Sequence, residues 1–222
     1  MATLNDYRNE RLKKLTTLKE MGINPYPSHS DRNTKISEIL DNFAELDGKK
    51  VIIAGRIVAI RSFGKLAFVK IRDYFGEIQL FMKQDETPEG FIGTKQLKLL
   101  DTGDFIEAEG LVGKSQTCEI SLFTNYVKLL TKTLRPMPGR DGFTNKEERY
   151  RRRYVDMNVN PEVRERMVRR SKFWQATRDF MNEHGFIEIN TPILEHTTGG
   201  ADAAPFITHM DALDEDFYLR IS

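Results

Sequence analysis

The sequence predicts an α+β protein, in which a five-stranded β-barrel follows an N-terminal helix and precedes a second region of helix and strands. Three observations predict this order. Residues 4–21 carry leucines at helical spacing among many charged side chains. Residues 49–130 change to the alternating apolar and polar pattern of strands. After a stretch rich in proline and glycine at 131–145, helical spacing returns and short alternating segments follow it.

The composition narrows the class of protein. Charged residues make up 30% of the 222-residue chain and the net charge is +1, so the chain as a whole is not a polycation for nucleic acid. No apolar run is long enough to span a bilayer, and no membrane partner is expected. The single cysteine, Cys118, excludes an intrachain disulfide framework and predicts a cytoplasmic location. The four histidines lack the spacing of metal ligands, so no metal site is predicted.

The first 48 residues are predicted to be a helical extension. The helix over 4–21 stops at Gly22, because Pro25 and Pro27 cannot continue it. A second short helix is predicted over 35–43.

Residues 49–131 are predicted to form one barrel domain. Residues 51–60 form a buried strand, and a tight turn at Asp73–Gly76 joins the next two strands. A short helix is predicted over 89–100, followed by strands over 104–112 and 119–130. The alternation in the first of these two strands places Glu107 and Glu109 toward solvent. Three strands, a helix and two strands in about eighty residues is the order of an OB-fold, which presents one face to oligonucleotides or oligosaccharides. SH3-like barrels also have five strands.

The hairpin within residues 61–81 sorts into two unlike faces. Side chains alternate across a strand, so Ala67, Val69 and Ile71 form an apolar face. The opposite face carries aromatic side chains beside basic and amide groups, among them Phe68, Lys70, Gln79 and Phe81. Such a face makes a poor core and suits the stacking of unpaired nucleobases.

A linker is predicted over 132–160, and a second folded region over 161–222. Asn160 can cap a helix whose first position is Pro161, and the helix runs to His184 and ends at Gly185. Residues 186–190 alternate as a strand. The small-residue loop at 197–205 would let a ligand approach the backbone, or is an ordinary surface loop. The chain ends inside or just after a strand at 217–222, so we expect this region to be truncated.

The order and spacing of these segments resemble the class II aminoacyl-tRNA synthetases, and within that class the lysyl-tRNA synthetase family. Residues 15–27 are similar to the N-terminal helix and turn of that family, and 51–130 to its OB-fold anticodon-binding domain. Residues 134–138 and 149–156 are similar to its hinge. The helix over 163–184 with the following segment to Pro192 resembles motif 1, the dimer element, and 199–206 resembles the loop that closes over lysine.

The resemblance implies a lysine–tRNA ligase that activates lysine with ATP and Mg²⁺ and transfers it to tRNA(Lys), as a homodimer. In that family the arginines that hold ATP belong to motifs 2 and 3, which lie beyond Ser222. We therefore expect no catalytic residue in this chain, incomplete binding of ATP and Mg²⁺, and no activity of the 222 residues alone.

The resemblance also assigns anticodon-binding positions to Phe68, Gln79, Glu119 and, more loosely, Arg61. Phe68 would stack a base, while Gln79 and Glu119 would hydrogen-bond the Watson–Crick edge of a uridine. The strand pattern agrees, because it places Phe68, Gln79 and Glu119 off the apolar face. The ordinary alternative is that Gln79 and Glu119 are solvated strand residues and that Arg61 pairs with a surface carboxylate.

Five further positions take roles from the resemblance. Gly199, Gly200 and Ala201 would belong to the lysine loop, and Pro192 and Trp174 to the dimer motif. A strand stop explains Pro192 equally well. If motif 1 lacks its scaffold, Trp174 is expected to be partly exposed and to favour association.

Three other functions stay open. An aspartyl- or asparaginyl-tRNA synthetase shares the OB domain, although residues 22–27 and 199–206 favour lysine. A non-catalytic module that binds tRNA or single-stranded nucleic acid needs neither motif 1 nor the glycine-rich loop. An enzyme that modifies a translation factor with a lysine-like group normally lacks the OB domain.

Overall fold

A computed structural model describes residues 3–83, 87–116, 118–139, 143–197 and 200–221. The chain divides into two compact units, Met1–Val155 and Asp156–Ser222. The α-helices of the described residues are α1 (Leu4–Glu20), α2 (Ile36–Asp41), α3 (Phe43–Leu46), α4 (Lys146–Arg151), α5 (Arg153–Val159) and α6 (Pro161–Glu183), and residues Thr94–Leu99 form a 3₁₀ helix. None of these helices is long and apolar enough to cross a membrane.

The first unit contains the predicted OB-type barrel. Its strands are β1 (Lys50–Phe63), β2 (Leu66–Arg72), β3 (Glu77–Lys83), β4 (Ile92–Gly93), β5 (Phe105–Lys114), β6 (Ile120–Thr124) and β7 (Tyr126–Thr131). The order β1-β2-β3-β6-β5 closes because β5 also pairs with β1. The pairing of β3 with β6 is parallel, and the other pairings within the barrel are antiparallel. The prediction of a five-stranded barrel behind an N-terminal helix is confirmed.

The barrel core contains the apolar side chains of the faces predicted from the alternation. In β2 and β3 all six inward positions are at most 2% exposed: Ala67, Val69, Ile71, Ile78, Leu80 and Met82. Burying an aliphatic side chain of this size stabilises a fold by about 1.5–3 kcal/mol. This burial leaves the opposite faces of the same strands toward solvent, where the candidate site lies.

A single carboxylate holds the predicted turn between β2 and β3. Asp73 Oδ1 accepts hydrogen bonds from the backbone N–H groups of Phe75 at 2.6 Å and Gly76 at 2.8 Å. Its Oδ2 accepts from the N–H of Ile36 at 3.2 Å, at the first residue of α2. Asp73 therefore fixes the hairpin and satisfies an N–H group that the start of a helix leaves unpaired.

Charged side chains with little exposure join α1 to the end of the barrel. This buried charged cluster consists of Arg11, Lys14, Asp101, Asp104 and Lys132. Lys132 Nζ lies 2.5 Å from Asp101 Oδ2 and 2.7 Å from Asp104 Oδ2, and Lys132 and Asp104 are both fully buried. Lys14 Nζ donates to Asp101 Oδ1 at 2.8 Å. Buried charges persist only when paired and hydrogen-bonded, and this cluster meets that condition.

Arg11 extends the cluster to backbone groups. Its guanidinium donates to the hydroxyl of Thr133 at 2.8 Å and to the carbonyl oxygen of Thr102 at 3.1 Å. The predicted N-terminal helix is thus confirmed and is attached to the residues that follow β7. Its C-terminal end is followed by Gly22 with φ +74°, as the stop signal required.

Three details of the barrel differ from the sequence predictions. Residues 89–100 form β4 and a 3₁₀ helix instead of one α-helix. The strand predicted over 119–130 is interrupted at Asn125, where Thr124 Oγ1 donates to the carbonyl of Tyr126 at 2.8 Å. Glu107, expected to point to solvent, is 6% exposed because Ser30 Oγ and the N–H of Asp31 donate to its Oε2.

The second unit contains α6 and a small sheet. Its strands β8 (Leu194–Glu195), β9 (Ile207–Met210) and β10 (Glu215–Leu219) form an antiparallel sheet in the order β8-β10-β9. Helix α6 ends where predicted, followed by Gly185 with φ +82°.

Two predictions for the second unit are wrong. Asn160 stands at the N-cap position, but its side chain does not cap the helix and instead donates to Asp156 Oδ1 at 2.7 Å. Residues 186–190 do not form a strand, because no neighbouring strand pairs with them within the described residues.

Candidate nucleic-acid interface

A row of side chains crosses the outside of the barrel from β1 to β6. This outer row consists of Arg61, Phe68, Phe81 and Phe123, each of which faces the next across a strand pair. The ring centroids of Phe68 and Phe81 are 5.2 Å apart, and so are those of Phe81 and Phe123. These side chains lie on the face opposite the core, so the row is a set of partly exposed aromatic surfaces on a rigid sheet.

Phe63 extends the aromatic surface at the end of β1. Its ring is 63% exposed and its centroid lies 6.1 Å from that of Phe68, edge to face. Phe68 is half-buried between Phe63 and Phe81. Aromatic pairs favour edge-to-face arrangements, so these two neighbours restrict the orientation of the Phe68 ring.

The polar candidates lie beside this row. Gln79 faces Lys70 on one side and Ser121 on the other. Gln79 Nε2 donates to Ser121 Oγ at 3.3 Å, and Ser121 Oγ donates to the carbonyl of Glu119 at 3.1 Å. Ser121 therefore links the two predicted base readers, and Gln79 keeps its carbonyl oxygen and a second N–H for further hydrogen bonds.

The segment before β6 places Glu119 at the surface. Its N–H donates to Ser115 Oγ at 3.2 Å, and its carbonyl accepts from the N–H of Ser115 at 2.9 Å. The exposed Cys118 has φ +61°, which an L-residue adopts only in a tight turn. The side chain of Glu119 is exposed. The predicted strand began at Glu119, but β6 begins one residue later, so Glu119 lies in the loop.

Cations beside the row are paired across the hairpin. Lys70 Nζ lies 3.4 Å from Glu77 Oε2, and Arg72 Nη1 lies 4.0 Å from Glu77 Oε1. Ion pairs at a surface contribute only about 0–1 kcal/mol, so a phosphate can compete for these cations. Arg61 is exposed at the β1 end of the row.

Four of the predicted positions therefore come together: Phe68, Gln79, Glu119 and Arg61. Sequence reasoning placed Phe81 on this face but did not single out Phe63 or Phe123. The signal for Phe123 was present, because it follows Glu119 and Ser121 at the same strand parity.

The remaining predicted positions lie in the second unit. Trp174 on α6 is 49% exposed and its ring packs edge to face on Phe173 at 5.7 Å, in agreement with the expected exposure. Pro192 is exposed. Gly200 has φ +102° and Ala201 is exposed, whereas Gly199 lies outside the described residues.

The resemblance implies Mg²⁺ in the intact enzyme. Within the described parts of both units, no group of three histidine, cysteine or acidic side chains is placed to hold a metal ion. An Mg²⁺ ion that bridges substrate phosphates needs only one or two protein carboxylates, so this finding concerns only a metal site built from protein side chains alone.

Comparisons with known proteins agree with this architecture. Residues 51–130 match the family model of the OB-fold nucleic acid binding domain, and residues 145–222 match that of the class II tRNA synthetases (D, K and N). The first match covers the barrel strands, and the second covers α4 to β10.

The chain is also similar to curated bacterial proteins over almost its whole length. It is 46% identical to the lysine–tRNA ligase of Carboxydothermus hydrogenoformans over 220 residues, which are 99% of this chain and 45% of that protein. It is 42% identical to the lysine–tRNA ligase of Syntrophomonas wolfei over 99% of this chain and 44% of the relative. It is 43% identical to the lysine–tRNA ligase of Fervidobacterium nodosum, over 99% of this chain and 44% of that relative.

The chain thus spans less than half the length of the relatives it matches. The barrel, the two family matches and these identities give one consistent assignment. The chain carries an OB-fold nucleic-acid-binding domain followed by a class II tRNA synthetase region, and it is a homologue of the lysine–tRNA ligases.

Proposed function

We propose that the barrel binds the anticodon loop of tRNA(Lys), as part of an enzyme that activates lysine with ATP and transfers it to that tRNA. The observation that carries the proposal is the outer row, in which Phe68 stands between two other rings on a face next to Gln79 and Glu119. Unpaired bases bind proteins by stacking on aromatic rings and by hydrogen bonds to their Watson–Crick edges. The family matches and relatives support the choice of tRNA.

Each side chain has a distinct task in this proposal. Phe68 stacks one base of the anticodon. The free carbonyl and N–H of the Gln79 amide, together with the Glu119 carboxylate, read the edge of a neighbouring uridine. Arg61 contacts a phosphate or base at the β1 end of the row.

The second unit supplies the remaining parts of the proposal. Gly199, Gly200 and Ala201 belong to a loop that closes over lysine, and Trp174 and Pro192 to a homodimer interface. The proposal for the interface is supported by the exposed apolar side chains along α6 and after it, including Phe180 at 58% and Ile189 at 74% exposure. ATP is an expected substrate of the whole enzyme, and Mg²⁺ is its expected metal cofactor, which would neutralise the ATP phosphates.

Phe68→Leu tests the anticodon proposal most directly. The leucine keeps an apolar side chain between Phe63 and Phe81 but removes the aromatic face. Stacking of one base contributes about 1–3 kcal/mol, so we expect tRNA(Lys) to bind roughly 5- to 150-fold more weakly, with little change in the melting temperature. The matched control is Tyr74→Leu, an exposed aromatic in the turn at the other end of β2.

Filter binding with tRNAs of altered anticodon completes the experiment. Loss of binding when a uridine of the anticodon is replaced supports the reading by Gln79 and Glu119. Equal affinity for all anticodons would favour a module that binds single-stranded RNA without reading it. A large drop in melting temperature with unchanged tRNA affinity would show that Phe68 is a packing residue.

A further inference from the structure

A pocket of about 410 Å³ opens at the β3–β6 end of the outer row, beside β5. Phe81 and Phe123 line it from the row. Leu111, which faces Phe123 across the β5–β6 pair and is 50% exposed, lines it next. Lys50 faces Leu111 across the β1–β5 pair and also lines the pocket. The volume lies within the range of about 300–1,000 Å³ that is usual for small-molecule sites.

Two glycines of β5 lie close to Phe123, and one of them, Gly110, lines the pocket. A Cβ atom built on Gly110 would overlap the carbonyl oxygen of Phe123, so only glycine lets β6 approach β5 this closely. A Cβ on Gly113 would lie 2.9 Å from the Phe123 ring. The Phe123 ring therefore lies over Gly113 of β5, where there is no side chain beneath it, and the Gly110 position lets the two backbones approach closely.

The walls and the rim differ in chemistry. The walls are formed by the rings of Phe81, Phe123 and Tyr126 and by the aliphatic Leu111. The exposed Lys83 and the ion pair of Lys50 with Glu109, 2.5 Å apart, stand at the rim. The hydrogen bond to Glu109 raises the pKa of the Lys50 ammonium. Flat aromatic walls with cations at the rim suit a nucleobase and its phosphate.

We propose that this pocket holds one nucleobase that flanks the anticodon triplet, on the same RNA strand whose bases stack on Phe68. The inference rests on the proposed function and deepens it by adding a base-binding site that lies outside the four predicted residues. The inference is supported by the continuity of the aromatic surface. The Phe81 ring packs against Phe68 in the outer row and also lines the pocket. A strand that follows the row therefore leads one base into the pocket.

Leu111→Glu tests the pocket in the full chain. The probe is an RNA hairpin with the anticodon loop of tRNA(Lys), used intact and with a single abasic nucleotide immediately 5′ or immediately 3′ of the triplet. Because one stacked base contributes about 1–3 kcal/mol, we expect the variant to bind the intact hairpin about tenfold more weakly than the parent chain. The parent chain should bind one of the two abasic hairpins about tenfold more weakly than the intact hairpin, because that hairpin lacks the base held by the pocket. The variant should bind that same hairpin as well as the parent chain does.

The abasic hairpins separate a lost base contact from simple repulsion. An equal loss on all three hairpins would show that the added carboxylate acts only as a charge, and would overturn the inference. Unchanged binding to the intact hairpin would overturn it too. Far-UV circular dichroism checks the fold, and Leu111→Gln replaces the charged variant if that one does not fold.

Phe68→Leu, measured with the same intact hairpin, distinguishes the two proposals. If it weakens binding while Leu111→Glu shows no dependence on the flanking base, the pocket inference fails and the anticodon proposal stands. If Phe68→Leu has no effect, the anticodon proposal itself fails, and the pocket inference fails with it.

Discussion

Replacing the buried lysine of the charged cluster should destabilise the barrel more than replacing an apolar residue of similar size on its surface. In Lys132→Met, the fully buried carboxylate of Asp104 loses the ammonium group 2.7 Å from its Oδ2. Asp104 Oδ1 keeps two hydrogen bonds from Thr133, at 2.8 Å from the N–H and 2.7 Å from the hydroxyl. Asp101 keeps Lys14, so most of the loss falls on Asp104.

The magnitude follows from the cost of an unpaired buried charge. Removing one partner of a buried ion pair costs about 3–5 kcal/mol, and the hydrogen bonds from Thr133 place the expected loss at the lower end, about 3 kcal/mol. With a denaturant dependence of about 2 kcal/mol per molar urea, the midpoint should fall by roughly 1.5 M. The double variant Lys132→Met/Asp104→Asn removes both charges and leaves an amide oxygen that can still accept the hydrogen bonds from Thr133. It should recover part of this loss, because no unpaired buried charge remains.

Unfolding in urea is best followed by the methyl NMR signals of Val69 and Ile71. Both side chains are buried in the barrel, so the second unit does not contribute to the reading. A loss below about 1 kcal/mol for Lys132→Met would refute the reasoning, because it would mean that the variant does not leave an unpaired buried charge at Asp104. A double variant no more stable than the single one would refute it as well.

Two further changes test other parts of the barrel. Gly110→Ala should destabilise it by about 1–3 kcal/mol in the same urea experiment, because the new methyl group overlaps the Phe123 carbonyl, whereas Gly139→Ala, which meets no atom within 4 Å, should change little. Burial raises the pKa of the Asp101 carboxyl, but hydrogen bonds from its two lysine partners outweigh this and hold the pKa below the ordinary 3.8. Asp101 therefore stabilises the fold above pH 3.8 and this contribution is lost as the pH falls through its folded-state pKa, so Asp101→Asn should be less stable at neutral pH and should flatten the acid side of the stability profile.

Local patterns predicted the parts of the fold that depend on neighbours in sequence. The inward faces of β2 and β3 followed from strand alternation, and the turn followed from Asp73 and Gly76. The end of α6 followed from Gly185, which adopts positive φ. Each of these features requires only the residue itself and the few that flank it.

The parts that were missed depend on distant partners. Glu107 was expected at the surface, and the serine that buries it comes from a position 77 residues earlier. The alternating residues 186–190 have the composition of a strand, but a strand also requires a paired edge, and composition does not provide one. Three of the four residues of the outer row were placed from the sequence. Strand parity alone puts Phe123 on an outward face, but the parallel pairing of β6 with β3 that brings it beside Phe81 is not visible in any local pattern.

The attachment of α1 also has a consequence for the order of events during synthesis on the ribosome. The partners of Arg11 include Thr133, 122 residues later in the chain. At roughly 5–20 residues per second, α1 leaves the ribosome some 6–25 s before that partner is made. Hairpins among β1, β2 and β3 can form in the meantime, since local contacts form fastest, whereas β1 must wait for β5 before the barrel closes. During this interval Leu18, which is fully buried in the finished fold, is without its cover. The nascent N-terminal helix therefore exposes apolar surface that a chaperone can protect before the barrel is complete.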